Sequence, residues 1–105
     1  MRFILGLVLL MAVGATANAA DLVLTIKDHR IEPAELHVPA GKQLELRVAN
    51  QDATPEEFES HDLDVEKVIA GNQSVTISLV PLEAGRYEFY GEYHEDTAKG
   101  VLVAE

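Results

Sequence analysis

Cysteine is absent from all 105 residues. Neither a disulfide nor a thiolate ligand is available, so stability rests on packing. Any metal chemistry must use imidazole and carboxylate, donors that suit borderline and hard ions. Basic side chains are scarce: eight Lys and Arg stand against eighteen Asp and Glu, for a formal net charge of −10. Nucleic acid and anionic lipid are polyanions and would be repelled, whereas cations are drawn in. No glycine-rich loop is present to cradle phosphate. There is no internal repeat, linker or low-complexity tail, and Ser60 next to His61 in sequence is not the geometry of an activated nucleophile. Carboxylates abound, but a chain this short offers no long saccharide cleft between them.

The one long apolar run is N-terminal. Met1 and Arg2 form a short positive segment, Phe3 to Val13 an apolar core, and Ala17-Asn18-Ala19 a small-x-small cleavage pattern. The run is short for a bilayer span, and Asn18 and Asp21 follow it closely. Residues 1–19 are therefore expected to be a signal peptide, cleaved after Ala19 with Ala20 as the alternative. That leaves 86 residues, 20–105, as one small domain and moves the formal charge from −10 to −11.

The remainder alternates with period two. Leu22, Leu24 and Ile26 line one face of a first strand, and Leu44, Leu46 and Val48 one face of the clearest strand, which ends at Asn50-Gln51-Asp52. Between them, Pro33 makes 28–34 a crossing segment or edge, followed by a short strand around Leu36 and Val38 and a turn at Pro39-Ala40-Gly41. Glu56 to Ser60 (EEFES) reads as an acidic loop in which Phe58 is the large apolar anchor. Residues 63–69 suggest one helical turn and then a strand. Val75, Ile77 and Leu79 alternate, Tyr87 and Phe89 share a face, and Val101 and Val103 end the chain. Six or seven short strands at regular spacing predict an all-β antiparallel sandwich.

Such sandwiches gather their loops at two poles, so EEFES and the stretch Tyr90 to Gly100 (YGEYHEDTAKG) can share one. Carboxylates crowded there repel one another unless a cation neutralises them. Each acid taken alone is more simply solvated surface. His94, flanked by acids between strands, is a candidate metal donor. His61 lies beside Glu59 and Asp62, His29 near a strand end could mark an accessory site, and His37 sits on a strand position facing solvent.

The runs LHVPAGKQLELRVANQD and GRYEFYGEYHEDTAKGVLV resemble a cupredoxin across the whole expected mature chain, which implies a Greek-key antiparallel sandwich. On the frame of the blue-copper members, Gly91 takes the place of the cysteine ligand, Ala98 that of the methionine, and Glu56 falls near the upstream histidine, while His94 is kept. The resemblance therefore implies no type 1 blue copper. TPEEFES with Glu66-Lys67, together with GEYHEDTAKG, is similar to cupredoxin-like periplasmic components of bacterial iron-uptake systems, the EfeO-type domain and the single-domain proteins encoded beside iron permeases.

That similarity implies a periplasmic protein that binds a copper or iron ion and assists iron uptake. Glu56, Glu59, Glu92 and His94 are the primary ligands carried over, with Asp62, Glu66, Glu95 and Asp96 as a second tier. A membrane iron permease or another transport subunit is the implied partner, and a homodimer could complete an open metal shell. Two other readings stand beside it: a small copper-dependent ferroxidase, and a metal-free docking module for a transport complex.

Overall fold

The structure, a computed structural model, describes residues 22–105, so the expected signal peptide lies outside the described residues. Among the described residues nine strands form two sheets: β1 (Leu22–Lys27), β2 (Arg30–Glu32), β3 (Glu35–Val38), β4 (Leu44–Asn50), β5 (Glu56–Ser60), β6 (Val65–Ile69), β7 (Ser74–Leu79), β8 (Gly85–Gly91) and β9 (Lys99–Ala104). One sheet runs β2-β1-β4-β7 and the other β3-β9-β8-β5-β6. The inward positions Leu24, Ile26, Leu46, Val48, Phe58, Phe89 and Leu102 are fully or almost fully buried between them. Tilted contact of the Phe58 and Phe89 rings, centroids 5.5 Å apart, joins β5 to β8 at the centre of this core.

The all-β sandwich of the sequence reading is present, with differences of detail. Two strand pairs, β1 with β4 and β3 with β9, are parallel. Between β1 and β4 the chain leaves for the other sheet at β3 and returns in the original direction, and the last strand closes beside β3 in the same sense. The segment after β1 is a true hairpin: Asp28 and His29 both take positive φ (54° and 60°), the conformation that reverses a two-residue β-turn, and β2 follows as a short edge strand. Finally, EEFES is a strand rather than a loop, and no helical turn precedes β6. Residues 61–64 form a turn closed by Asp64 at φ 59°.

Tight polar fastenings hold the segments around β5. Asn50 is buried at the end of β4, and its Nδ2 donates to the Thr54 carbonyl (2.9 Å) and the Ile69 carbonyl (3.1 Å), while its Oδ1 accepts from Asp52 N–H (3.0 Å). One side chain thereby fixes the approach to β5 and the end of β6. At the other end of β5, Ser60 Oγ donates to the Glu88 carbonyl (2.6 Å) and accepts from Leu63 N–H (3.1 Å). Tyr87 Oη reaches back to the Glu83 carbonyl (2.7 Å), fixing the entry to β8. Each bond gives a backbone group a side-chain partner.

Candidate metal centre

Because β5 is a strand, its side chains alternate between faces. Glu56, Phe58 and Ser60 are buried; Glu57 and Glu59 point to the outer face of the five-stranded sheet. Glu56 and Glu59, three residues apart, cannot share a face. The four primary candidates accordingly divide into two pairs.

Glu56 and His94 make the first pair, inside the pole. A 3-10 turn, Glu92–His94, follows β8 and folds over the start of β5. Glu56, only 2 % exposed, accepts three hydrogen bonds: its Oε2 from His94 Nδ1 (2.6 Å), and its Oε1 from Tyr93 N–H (2.9 Å) and Glu57 N–H (3.0 Å). His94 is 29 % exposed and stacks on His29, with ring centroids 3.6 Å apart and planes 11° from parallel. Asp52 fixes the backbone beneath that stack by accepting from Asp28 N–H (2.7 Å) and His29 N–H (3.0 Å). Burial alone would push the Asp52 carboxyl up, but these two donors and the charges of His29 and Lys27 hold it below its ordinary value.

The frame positions of a type 1 copper centre do converge here, and their chemistry does not fit that ion. A Cβ built on Gly91 would stand 2.7 Å from Glu56 Cδ and 2.9 Å from the Ala98 Cβ. The Glu56 carboxylate thus fills the space beside Gly91 into which a side chain would project. Gly91 and Ala98 offer no donor, and the remaining two residues are hydrogen-bonded to each other. Carboxylate, imidazole and two backbone amides close the pole as a polar plug in which every Glu56 oxygen has a partner.

Glu59 and Glu92 belong to the second group, on the outer face, together with Glu57. Oxygen atoms of Glu57, Glu59 and Glu92 lie within 4.8 Å of one another. The strand register explains the convergence. Glu59 sits across from Glu66 on β6 and from Tyr90 on β8, and Gly91 pairs with Phe58, which brings Glu92 alongside Glu57. Few donors are present to balance this charge. The Glu57 carboxyl is pushed up to about 7, first by its hydrogen bond with Glu66, then by burial and by the charges of Glu66, Glu92 and Glu59. Glu92 is raised mainly by sharing a hydrogen bond with Glu59 and by that neighbour's charge.

Glu59 Oε1 is buried without a donor, and Glu92 can supply one only when protonated. The side chain of Glu59 is 13 % exposed, and its Oε2 lies 3.7 Å from His61 Nε2. His61 Nε2 in turn meets Tyr90 Oη at 2.9 Å. Burial first, then the charges of Glu59, Glu92 and Glu95, raise the Tyr90 hydroxyl.

The second-tier residues separate likewise. Glu66 borders the outer cluster. The Asp62 carboxylate accepts from Glu88 N–H (2.8 Å) and so serves the backbone of β8. Glu95 and Asp96 line a shallow concavity at the pole with His29, Tyr93, His94 and Thr97. Glu57, which the sequence reading left out of both tiers, could have been found from its i, i+2 spacing to Glu59 once EEFES was read as a strand. His37, exposed on β3, lies between two carboxylates, with Nε2 2.7 Å from Glu35 and Nδ1 2.7 Å from Glu105.

These two sheets and their converging pole define an architecture shared with solved amicyanin structures. A methionine-to-alanine amicyanin variant in its Cu(I) form is 25% identical, with a TM-score of 0.67, over 85% of this chain and 86% of that one. An oxidized methionine-to-leucine variant is 26% identical, with a TM-score of 0.65, over 83% and 86% respectively. An uncharacterized protein of Rickettsia prowazekii (strain Madrid E) is 43% identical over 86 residues, 82% of this chain and 69% of that protein. The family described as the cupredoxin-like domain matches residues 1–104, and the chain belongs to it.

Proposed function

We propose that this protein is a metal-binding accessory of iron uptake that works in the periplasm and holds a copper or iron ion on the outer face of its five-stranded sheet. Glu57, Glu59 and Glu92 are the ligands, with Glu66 beside them. The observation that carries this reading is the convergence of three carboxylates with too few donors to satisfy them, one of whose oxygens is buried and unpartnered. Such a group is relieved either by protons or by a cation. An all-oxygen donor set favours a hard ion such as Fe(III), while Cu(II) leads the divalent order at any site of this kind. Glu59 and Glu92, two of the four residues pointed to by sequence, are in this group. Glu56 and His94 act in this reading as the support beneath it: Glu56 accepts from the amides of Glu57, itself a ligand, and of Tyr93, next to Glu92.

The iron-uptake role and the permease partner rest on the resemblance of the TPEEFES and GEYHEDTAKG stretches to the iron-system proteins. Dialysis against Fe(III) citrate or Cu(II), followed by metal analysis, tests the site. About one equivalent should be retained, and Glu59→Gln or Glu92→Gln should weaken binding by tenfold or more, whereas His94→Ala should leave most of it. No retention by the wild-type protein overturns the metal reading. Mixing copper-loaded protein with Fe(II) in air separates binding from turnover, since only a ferroxidase would accelerate loss of Fe(II) beyond the buffer rate. Growth of a deletion strain on limiting iron tests the role in uptake.

A further inference from the structure

The four sheet edges are unequally protected. In the four-stranded sheet, β2 has three residues, two of them charged, and ends at Pro33; in the five-stranded sheet, β3 carries Glu35 and His37, and β6 carries Glu66 and Lys67. Charge, brevity and proline are the usual devices that stop a free edge from pairing with another chain. β7 has none of them. It is six residues long, Ser74-Val75-Thr76-Ile77-Ser78-Leu79, without charge or proline, and it closes the four-stranded sheet opposite β2.

Which backbone groups are free follows from the register. Asn50 N–H donates to the Gln73 carbonyl at 2.8 Å, so residues pairing with β4 through hydrogen bonds continue at Val75, Ile77 and Leu79. Alternation in an antiparallel ladder then turns the N–H and C=O groups of Ser74, Thr76 and Ser78 away from β4 and into solvent. The side chains of these same three residues are exposed on the outer face.

The sequence of this edge is nearly symmetric about Thr76, reading hydroxyl, β-branched, hydroxyl, β-branched, hydroxyl from Ser74 to Ser78. We infer that β7 is a homodimer edge, pairing antiparallel with β7 of a second copy about a two-fold axis at Thr76. That axis places Thr76 opposite its own equivalent and Ser74 opposite Ser78 of the other copy, each residue presenting its free backbone groups. Cross-strand Thr–Thr and Ser–Ser contacts are favourable pairs in such ladders.

Charge complementarity supports a second copy over any other strand. On β4, Arg47 donates to Ser74 Oγ (3.3 Å), and Glu45 accepts from Ser78 Oγ (2.9 Å). With Ser74 of one copy facing Ser78 of the other, the chain Arg47, Ser74, Ser78, Glu45 runs from a cation on one protomer to an anion on its partner. The two-fold makes it twice, once in each direction.

Sedimentation equilibrium and light scattering on the metal-free protein test the inference. A concentration-dependent mass of twice the monomer is expected. Thr76→Lys sets two like charges on the axis, and Thr76→Pro removes only an N–H that β4 does not use, a substitution an edge strand accommodates. Each should weaken dimerisation at least tenfold with the circular dichroism of the fold unchanged. Glu32→Lys, on β2 at the far edge of the same sheet, should leave the dimer intact. A monomer at every concentration overturns the inference, as does a dimer that survives both Thr76 variants or is dissolved by Glu32→Lys. Should a Thr76 variant fail to fold, amide exchange on the wild type decides: slow exchange at Thr76 and Ser78 that quickens on dilution supports the inference, and fast exchange at all concentrations overturns it.

Discussion

Adjacent glutamates on β5 meet opposite fates. Glu56 faces inward at 2 % exposure and has three donors for its two oxygens; Glu57 faces outward, meets other carboxylates, and its carboxyl is pushed up to about 7. The residue type is the same and the backbone separation is one residue. Burial by itself therefore does not measure how much a carboxylate wants a cation. What measures it is the number of donors within reach, and the buried acid is the satisfied one. In this molecule the Glu56–His94 pole is part of the scaffold, and the unbalanced charge lies on the surface one strand face away.

The sharpest way to break that contrast is to remove Glu56. Glu56→Ala strands the His94 ring and the amides of Tyr93 and Glu57, and should cost on the order of 3 kcal/mol in urea unfolding. Gly91→Ala comes next: its methyl would meet Glu56 Cδ at 2.7 Å and should cost about 2 kcal/mol through overpacking. The double variant should cost less than the two together, since truncating the Glu56 side chain vacates the space that the new methyl needs. Strict additivity would show that the carboxylate is not what fills the space beside Gly91.

On the outer face the sign reverses. Glu57→Gln or Glu92→Gln removes a like charge, so the metal-free protein should melt at a higher temperature at neutral pH while losing cation affinity. A lower melting temperature without metal would mean that these acids are satisfied after all.

The smallest effect belongs to His37. Its two ring nitrogens both face carboxylates, an arrangement that only the doubly protonated ring can donate to in full. Hydrogen bonds with Glu105 and then Glu35 raise its pKa above 6.5. A raised value means that the clamp's contribution to stability is complete below the unfolded value and is lost as pH rises through the folded one. Proton NMR should show His37 titrating above 6.5, and Glu105→Gln should bring it down.

Much of the sandwich was legible because alternation is a local signal. Leu44, Leu46 and Val48, or Tyr87 and Phe89, declare their faces without reference to anything distant. EEFES was harder because four of its five residues are polar. Its inward series Glu56-Phe58-Ser60 pairs one aromatic ring with two groups whose burial depends on donors elsewhere in the chain. The resemblance set Glu56 and Glu59 in one ligand group, and on a strand the two face opposite ways. The nearness of the EEFES and GEYHED stretches was left open by the sequence, and the structure brings them together, with Glu56 Oε2 2.6 Å from His94 Nδ1.

The sequence by itself determined the class of fold, the absence of a thiolate, the acidic balance and the stretches in which the clustered carboxylates lie. These are properties of composition and of short-range period. Only the tertiary structure decided which carboxylates are partners. Pairing β5 with β6 on one side and β8 on the other sets Glu57 and Glu59 beside Glu66 and Glu92, while the turn after β8 lowers His94 and an amide onto Glu56. Register across strands, which is not encoded in any one of them, separates the plug from the acidic cluster.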